Sequence, residues 1–148
     1  MENNIRDAFE KAVFLSMNFR RNSLNKIGLY PGQPIILLLI EENPGISQKS
    51  LAEYAKISRP TLNVMLTRLQ KNGLVEIKYD KNNSKISKVY LTEEGNKKNR
   101  YAKEILDNLK DIYYIDFSDR EKETFEKLLD KISNNIENKM KEEKNEND

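Results

Sequence analysis

The residues from Ser58 to Tyr90 leave little choice of fold. Ser58 is a good helix N-cap, and Pro60 is tolerated in a first turn because its missing N–H has no helical partner there. Leu62, Met65, Leu66 and Leu69 recur at the spacing of a buried helical stripe, and Gly73 stands where a helix wants a left-handed residue. Two short runs follow, Leu74–Tyr79 and Ile86–Tyr90, which alternate or are β-branched. Between them the polar tip Asp80–Lys85 reads as a hairpin loop. Upstream, Ser47–Ala55 reads as a second capped helix with Leu51 and Ala52 inward. Two short helices joined by a tight turn make a helix-turn-helix, whose second helix fits the major groove of DNA, with the hairpin as a wing beside it. The outward face of that second helix carries Arg59, Thr61, Asn63, Val64, Thr67, Arg68 and Lys71.

Charge supports this reading by its distribution. The 148 residues carry only +2 in total. Residues 46–91, however, hold nine Lys/Arg against three Asp/Glu, a balance of +6, which leaves −4 for the rest. Positive charge concentrated on the reading unit is the footprint of a phosphate binder. The chain has no cysteine and no histidine. Disulfides and thiol switches are excluded, the common zinc sites lose their ligands, and histidine acid–base chemistry is absent. With no Gly-rich phosphate loop either, the expectation is a chain that is not an enzyme and carries no metal and no cofactor. Its longest apolar run, Ile35–Ile40, is far below the ~20 residues of a membrane span, and its Met-Glu-Asn-Asn start shows no secretory signal. A cytoplasmic protein with no membrane partner is expected.

The flanks read as helices. Ile5, Ala8, Phe9, Ala12, Val13, Ser16 and Phe19 repeat along residues 4–26, and Phe14, Leu15 and Met17 widen the apolar face. The next helix opens at Pro34 and is apolar all round, so it is expected to be buried. After the wing, Thr92 can cap a long helix reaching about Ile115. Ser118–Glu121 is a capping box, and Phe125, Leu128, Leu129, Ile132, Ile136 and Met140 form a last stripe suited to a helix–helix seam. The wholly polar tail Lys141–Asp148 is expected to fray. The predicted fold is therefore mainly α with a small β-hairpin wing: a winged helix-turn-helix lobe over residues 30–95 and a helical dimerisation region over 1–29 and 96–148. The surplus apolar surface at both ends predicts a homodimer; the alternative is that these helices pack only on their own domain.

The order of elements resembles the MarR family of winged helix-turn-helix transcription regulators over roughly residues 5–140. The runs that carry the resemblance are Pro44-Gly45-Ile46-Ser47-Gln48-Lys49-Ser50-Leu51-Ala52, Ser58-Arg59-Pro60-Thr61-Leu62, Leu69-Gln70-Lys71-Asn72-Gly73-Leu74-Val75, and Val89-Tyr90-Leu91-Thr92-Glu93-Glu94-Gly95. The resemblance implies a homodimer on a palindromic operator, a recognition helix in the major groove, a wing in the flanking minor groove, and commonly a small ligand in an inter-lobe crevice that relieves repression. Two positions depart from it. Val64 stands where many members have arginine, and Asn83-Ser84-Lys85 aligns with a frequent Asp-Arg-Arg. Both changes remove guanidinium groups; valine can instead touch a thymine methyl, and lysine is the weaker fork-type reader.

Site expectations follow. Arg59, Pro60, Thr61, Asn63, Val64, Thr67 and Arg68 form the recognition surface, with Thr61, Asn63 and Val64 toward the bases. Ser47, Gln48, Lys49 and Lys71, with Arg68, are expected to hold phosphates. Lys81, Asn82, Asn83, Ser84, Lys85 and Lys88 form the wing. Phe14, Met17, Phe19, Tyr30 and Tyr113 are candidates for a pocket taking a small aromatic or amphiphilic effector. The competing class is a protein-interaction module that kept the winged fold without specific DNA binding.

Overall fold

The computed structural model of the chain describes residues 2–79 and 87–145. Its elements are α1 (Glu2–Asn25), α2 (Gln33–Glu42), β1 (Ile46–Ser47), α3 (Gln48–Tyr54), α4 (Arg59–Lys71), β2 (Val75–Tyr79), β3 (Ser87–Leu91), α5 (Glu93–Tyr113) and α6 (Asp119–Asn145). The protein is mainly helical with a small antiparallel sheet. That sheet has three strands in the order β1-β3-β2, not the two of a bare hairpin. The added strand β1 is two residues long, too short to alternate visibly. It pairs Ile46 with Val89 and Ser47 with Lys88, and the Gly45 N–H extends the pairing to the Val89 carbonyl at 3.0 Å. Strand pairing thus ties the start of the helix-turn-helix to the wing.

The chain divides into two compact units, Met1–Leu109 and Lys110–Asp148. In the first, Leu24, Leu29, Ile36, Leu37, Ile40, Leu51, Leu62, Leu66, Leu69 and Val89 are fully buried together. Leu62, Leu66 and Leu69 are the stripe read from the sequence, so burial of this face anchors α4 and turns its polar residues outward. Helix α2 is less enclosed than an all-apolar sequence suggests: Ile36, Leu37 and Ile40 are buried, Leu38 and Leu39 are half-buried, and Ile35 is 45% exposed. The Lys103 ammonium on α5 pairs with the Glu41 carboxylate on α2.

The base of the wing is joined to α5 by one compact set of contacts. Thr92 donates its hydroxyl to the Gly73 carbonyl at 2.6 Å and accepts from the Gly95 N–H at 3.0 Å. Its own N–H meets the Leu74 carbonyl at 3.1 Å. A Cβ on residue 95 would lie 1.9 Å from the Leu74 carbonyl oxygen, so only glycine lets the helix approach this close. The Leu-Thr-x-x-Gly run is therefore an architectural joint: threonine caps the helix and glycine makes room for the strand's backbone.

In the second unit the rings of Tyr114, Phe117 and Phe125 meet edge-on or tilted, with centroids 5.7–6.2 Å apart. The capping box forms: the Ser118 N–H and hydroxyl donate to the Glu121 carboxylate at 2.9 and 2.6 Å, and the Glu121 N–H returns to the Ser118 oxygen at 3.4 Å. These bonds, the hydroxyl's first, hold the Glu121 carboxyl below its ordinary range. Helix α6 continues through Asn145, so Lys141–Asn145 are helical and not frayed. Lys and Glu favour helix whether or not they are buried, and Lys139 pairs with Glu142 at 3.3 Å. None of the described residues of α6 is buried.

Candidate nucleic-acid interface

Both helices of the helix-turn-helix start on serine caps. The Ser47 oxygen accepts from the Ser50 N–H at 3.1 Å, and the Ser58 oxygen accepts from the Thr61 N–H at 3.3 Å. Each cap also pairs hydroxyl with hydroxyl, Ser47 with Ser50 at 2.9 Å and Ser58 with Thr61 at 2.8 Å. At the far end Gly73 takes φ +69°, the left-handed conformation that stops α4 and feeds β2.

The two helix starts and the start of β3 enclose a groove of about 490 Å³ lined by Ser47, Gln48, Lys49, Arg59, Leu62, Asn63 and Ser87. Five of these were expected from the sequence as DNA contacts. The fold brings the phosphate candidates of α3 alongside the base candidates of α4. Ser87 was missed; its alternation with Val89 places it on the sheet face toward the helices, a signal that was available. Lys88 falls on the opposite face, with Glu76, Lys78 and Tyr90. There Lys78 pairs with Glu76 at 2.7 Å and lies over the Tyr90 ring at 5.1 Å, and the Glu76 hydrogen bond raises the Lys78 pKa. One of the nine cations counted for the reading unit is thus neutralised locally.

Along the exposed face of α4 the hydroxyls are largely committed. Thr67 donates to the Asn63 carbonyl at 2.8 Å, and Thr61 is held in the Ser58 cap. The exposed threonine side chains lie next to Pro60 and to Val64, which is 54% exposed. Arg59 and Asn63 supply the hydrogen-bonding groups at the groove, and Lys71 is exposed in the last turn. The Arg68 guanidinium lies over the Tyr30 ring, 5.5 Å from its centroid. Tyr30 therefore faces the recognition helix. Phe14, Met17 and Phe19 are exposed on α1, and Tyr113 stands beside Tyr114 in the second unit. Lys81, Asn82, Asn83, Ser84 and Lys85 lie outside the described residues. Among the described residues no helix is long and apolar enough to cross a membrane, and no group of acidic side chains could hold a metal ion.

The sequence model of the MarR family matches residues 29–87, from just before α2 to the first residue of β3. The HTH-type transcriptional regulator YybA of Bacillus subtilis is 34% identical over 111 residues, covering 75% of this chain and 74% of YybA. The chain belongs to the MarR family. It is a DNA-binding transcriptional regulator, and the family's proteins are regulators, not enzymes. Solved MarR-type structures share its fold. The PcaV transcriptional regulator from Streptomyces coelicolor superposes with a TM-score of 0.81 at 17% identity, covering 93% of this chain and 98% of that one. The transcriptional repressor CouR, bound to a 23-mer DNA duplex, gives 0.73 at 23% identity, covering 85% and 89%. In this MarR family chain the two helix starts and the three-stranded sheet border the groove described above.

Proposed function

We propose that the protein acts as a homodimer on a two-fold symmetric operator, represses transcription there, and is released by a small aromatic or amphiphilic molecule. The observation that carries the operator reading is the groove holding Gln48, Lys49, Arg59 and Asn63 beside the exposed face of α4. Arg59 and Asn63 would read base edges, while Val64 and the threonine methyls suit thymine methyls and hence an A·T-rich site. Gln48, Lys49, Arg68 and Lys71 would hold phosphates. The wing residues Lys81 to Lys85 would follow the flanking minor groove.

Residues 1–29 and 96–148 would serve dimerisation and residues 30–95 DNA reading. Supporting this, α1 exposes Ile5, Phe9, Val13, Phe14, Leu15, Met17 and Phe19, and α6 exposes Phe125, Leu128, Ile132, Ile136 and Met140. A second copy of the chain is the partner that would remove such long apolar faces from water. Two reading helices on one axis would address half-sites about 34–36 Å apart. The 23-mer in the CouR complex is long enough for two such half-sites, and a PcaV structure contains its natural ligand.

Selection of bound duplexes from a random pool, with footprinting and light scattering of the purified chain, tests the proposal. Expected are a palindromic site and a dimer at micromolar concentration. A strict monomer, or a footprint much shorter than about 15 bp, contradicts the symmetric arrangement. Repeating the selection with cell extract reports whether a small molecule releases the DNA.

A further inference from the structure

The turn between α1 and α2 lies against the recognition helix, and we propose that Tyr30 is a positioning residue that presents the Arg68 guanidinium to a DNA phosphate. The proposal rests on the DNA-binding reading above. Arg68 lies over the Tyr30 ring at 5.5 Å although both side chains are exposed, so burial of the core does not force them together. A guanidinium held over a ring by its charge leaves N–H groups free for a phosphate to accept. The contact restrains where the guanidinium lies.

The backbone that carries the ring is anchored. The Tyr30 N–H donates to the Gln33 side-chain oxygen at 2.8 Å, and the Gln33 N–H returns to the Tyr30 carbonyl at 3.1 Å. Gln33 is only 2% exposed, so this turn is anchored in the core. A second contact lies one helical turn along α4: a Cβ on Gly32 would stand 2.9 Å from the Met65 methyl. Met65 and Arg68 are three residues apart and share a flank of the helix. The other flank carries Arg59 and Asn63 in the groove. The recognition helix is thus braced on the Tyr30 side, which holds a cation out toward DNA, and borders the open groove on the other.

The test is anisotropy titration of the full chain with a random-sequence duplex over a range of salt, using Tyr30→Phe, Tyr30→Leu, Arg68→Ala and the Tyr30→Leu/Arg68→Ala double variant. Arg68→Ala is expected to flatten the log–log salt dependence by about one unit per DNA-bound lobe. Tyr30→Phe keeps the ring and should bind like the wild type. Tyr30→Leu should weaken binding about two- to five-fold per bound lobe, the range of an exposed cation–π contact. The double variant should bind no more weakly than Arg68→Ala alone. The positioning role is overturned if Tyr30→Leu binds like the wild type, or if its loss persists undiminished without Arg68. Should Tyr30→Leu lose its helical circular dichroism, Tyr30→Gln takes its place with the same two outcomes. A wild type that binds no duplex overturns the DNA-binding reading as well; a wild type that binds while the Tyr30 variants change nothing overturns this role alone.

Discussion

Gly95→Ala puts the joint between wing and α5 to the test. The new methyl would sit 1.9 Å from the Leu74 carbonyl oxygen and 2.9 Å from its carbon. Both are backbone atoms, so no side chain can swing aside, and α5 must back away from the strand. That movement endangers the Thr92 N–H bond to Leu74 at 3.1 Å and the Thr92 hydroxyl bond to Gly73 at 2.6 Å. Overpacking costs about 1–3 kcal/mol, and each weakened bond up to about 1 kcal/mol. Alanine's better helix propensity returns at most about 1 kcal/mol. The midpoints of these ranges leave a net loss of about 2–3 kcal/mol, or a fall in Tm of about 4–12 °C for a chain of this size. The neighbouring, exposed Glu94→Ala should stay within about 0.5 kcal/mol. Thermal and urea unfolding followed by circular dichroism reads both, at one fixed protein concentration because self-association raises Tm. A Gly95→Ala protein as stable as the wild type would refute the close approach and this account of the Leu-Thr-x-x-Gly run.

Ser58→Ala removes the cap of α4 and the partner of the Thr61 hydroxyl, and should cost about 0.5–2 kcal/mol in urea unfolding; no measurable change would contradict the cap. Asn63→Ala should lose about 1–3 kcal/mol on the selected operator and little on random DNA, compared by anisotropy titration. An equal loss on both would remove Asn63 from base readout. The Glu121 carboxyl is held below its ordinary value of 4.5, so its capping stabilisation is complete above that value and is lost as pH falls through the lower folded one. The Tm advantage of wild type over Glu121→Gln should therefore shrink between neutral pH and about pH 3, and a constant gap would count against the bond.

Much of this was legible because local chemistry and tertiary packing agree. Ser58 caps α4 where the sequence places it, Leu62, Leu66 and Leu69 face the core, Gly73 stops the helix, and Ser118 with Glu121 closes a capping box. Strand β1 was not legible, since two residues carry no period and its partner Val89 is far along the chain. The order of Lys141–Asn145 was misread because lack of apolar residues was taken for lack of helix, although Lys and Glu hold helix well in water. Within the site, spacing gave the residues of the groove but not their commitments. That the Thr61 and Thr67 hydroxyls bond to neighbours, that Lys78 is paired with Glu76, and that Tyr30 lies beneath Arg68 are facts of distance, not of pattern.

The central claim is that α3, α4 and the winged sheet grip duplex DNA through cations placed around one groove. It is tested most directly by titrating the purified wild-type chain against duplexes drawn from the random pool while ionic strength is raised. The account predicts tight binding at low salt that weakens steeply, by roughly 0.9 log unit per log unit of salt for each phosphate contacted. Failure to retain any duplex at low salt, or binding indifferent to salt, would contradict it.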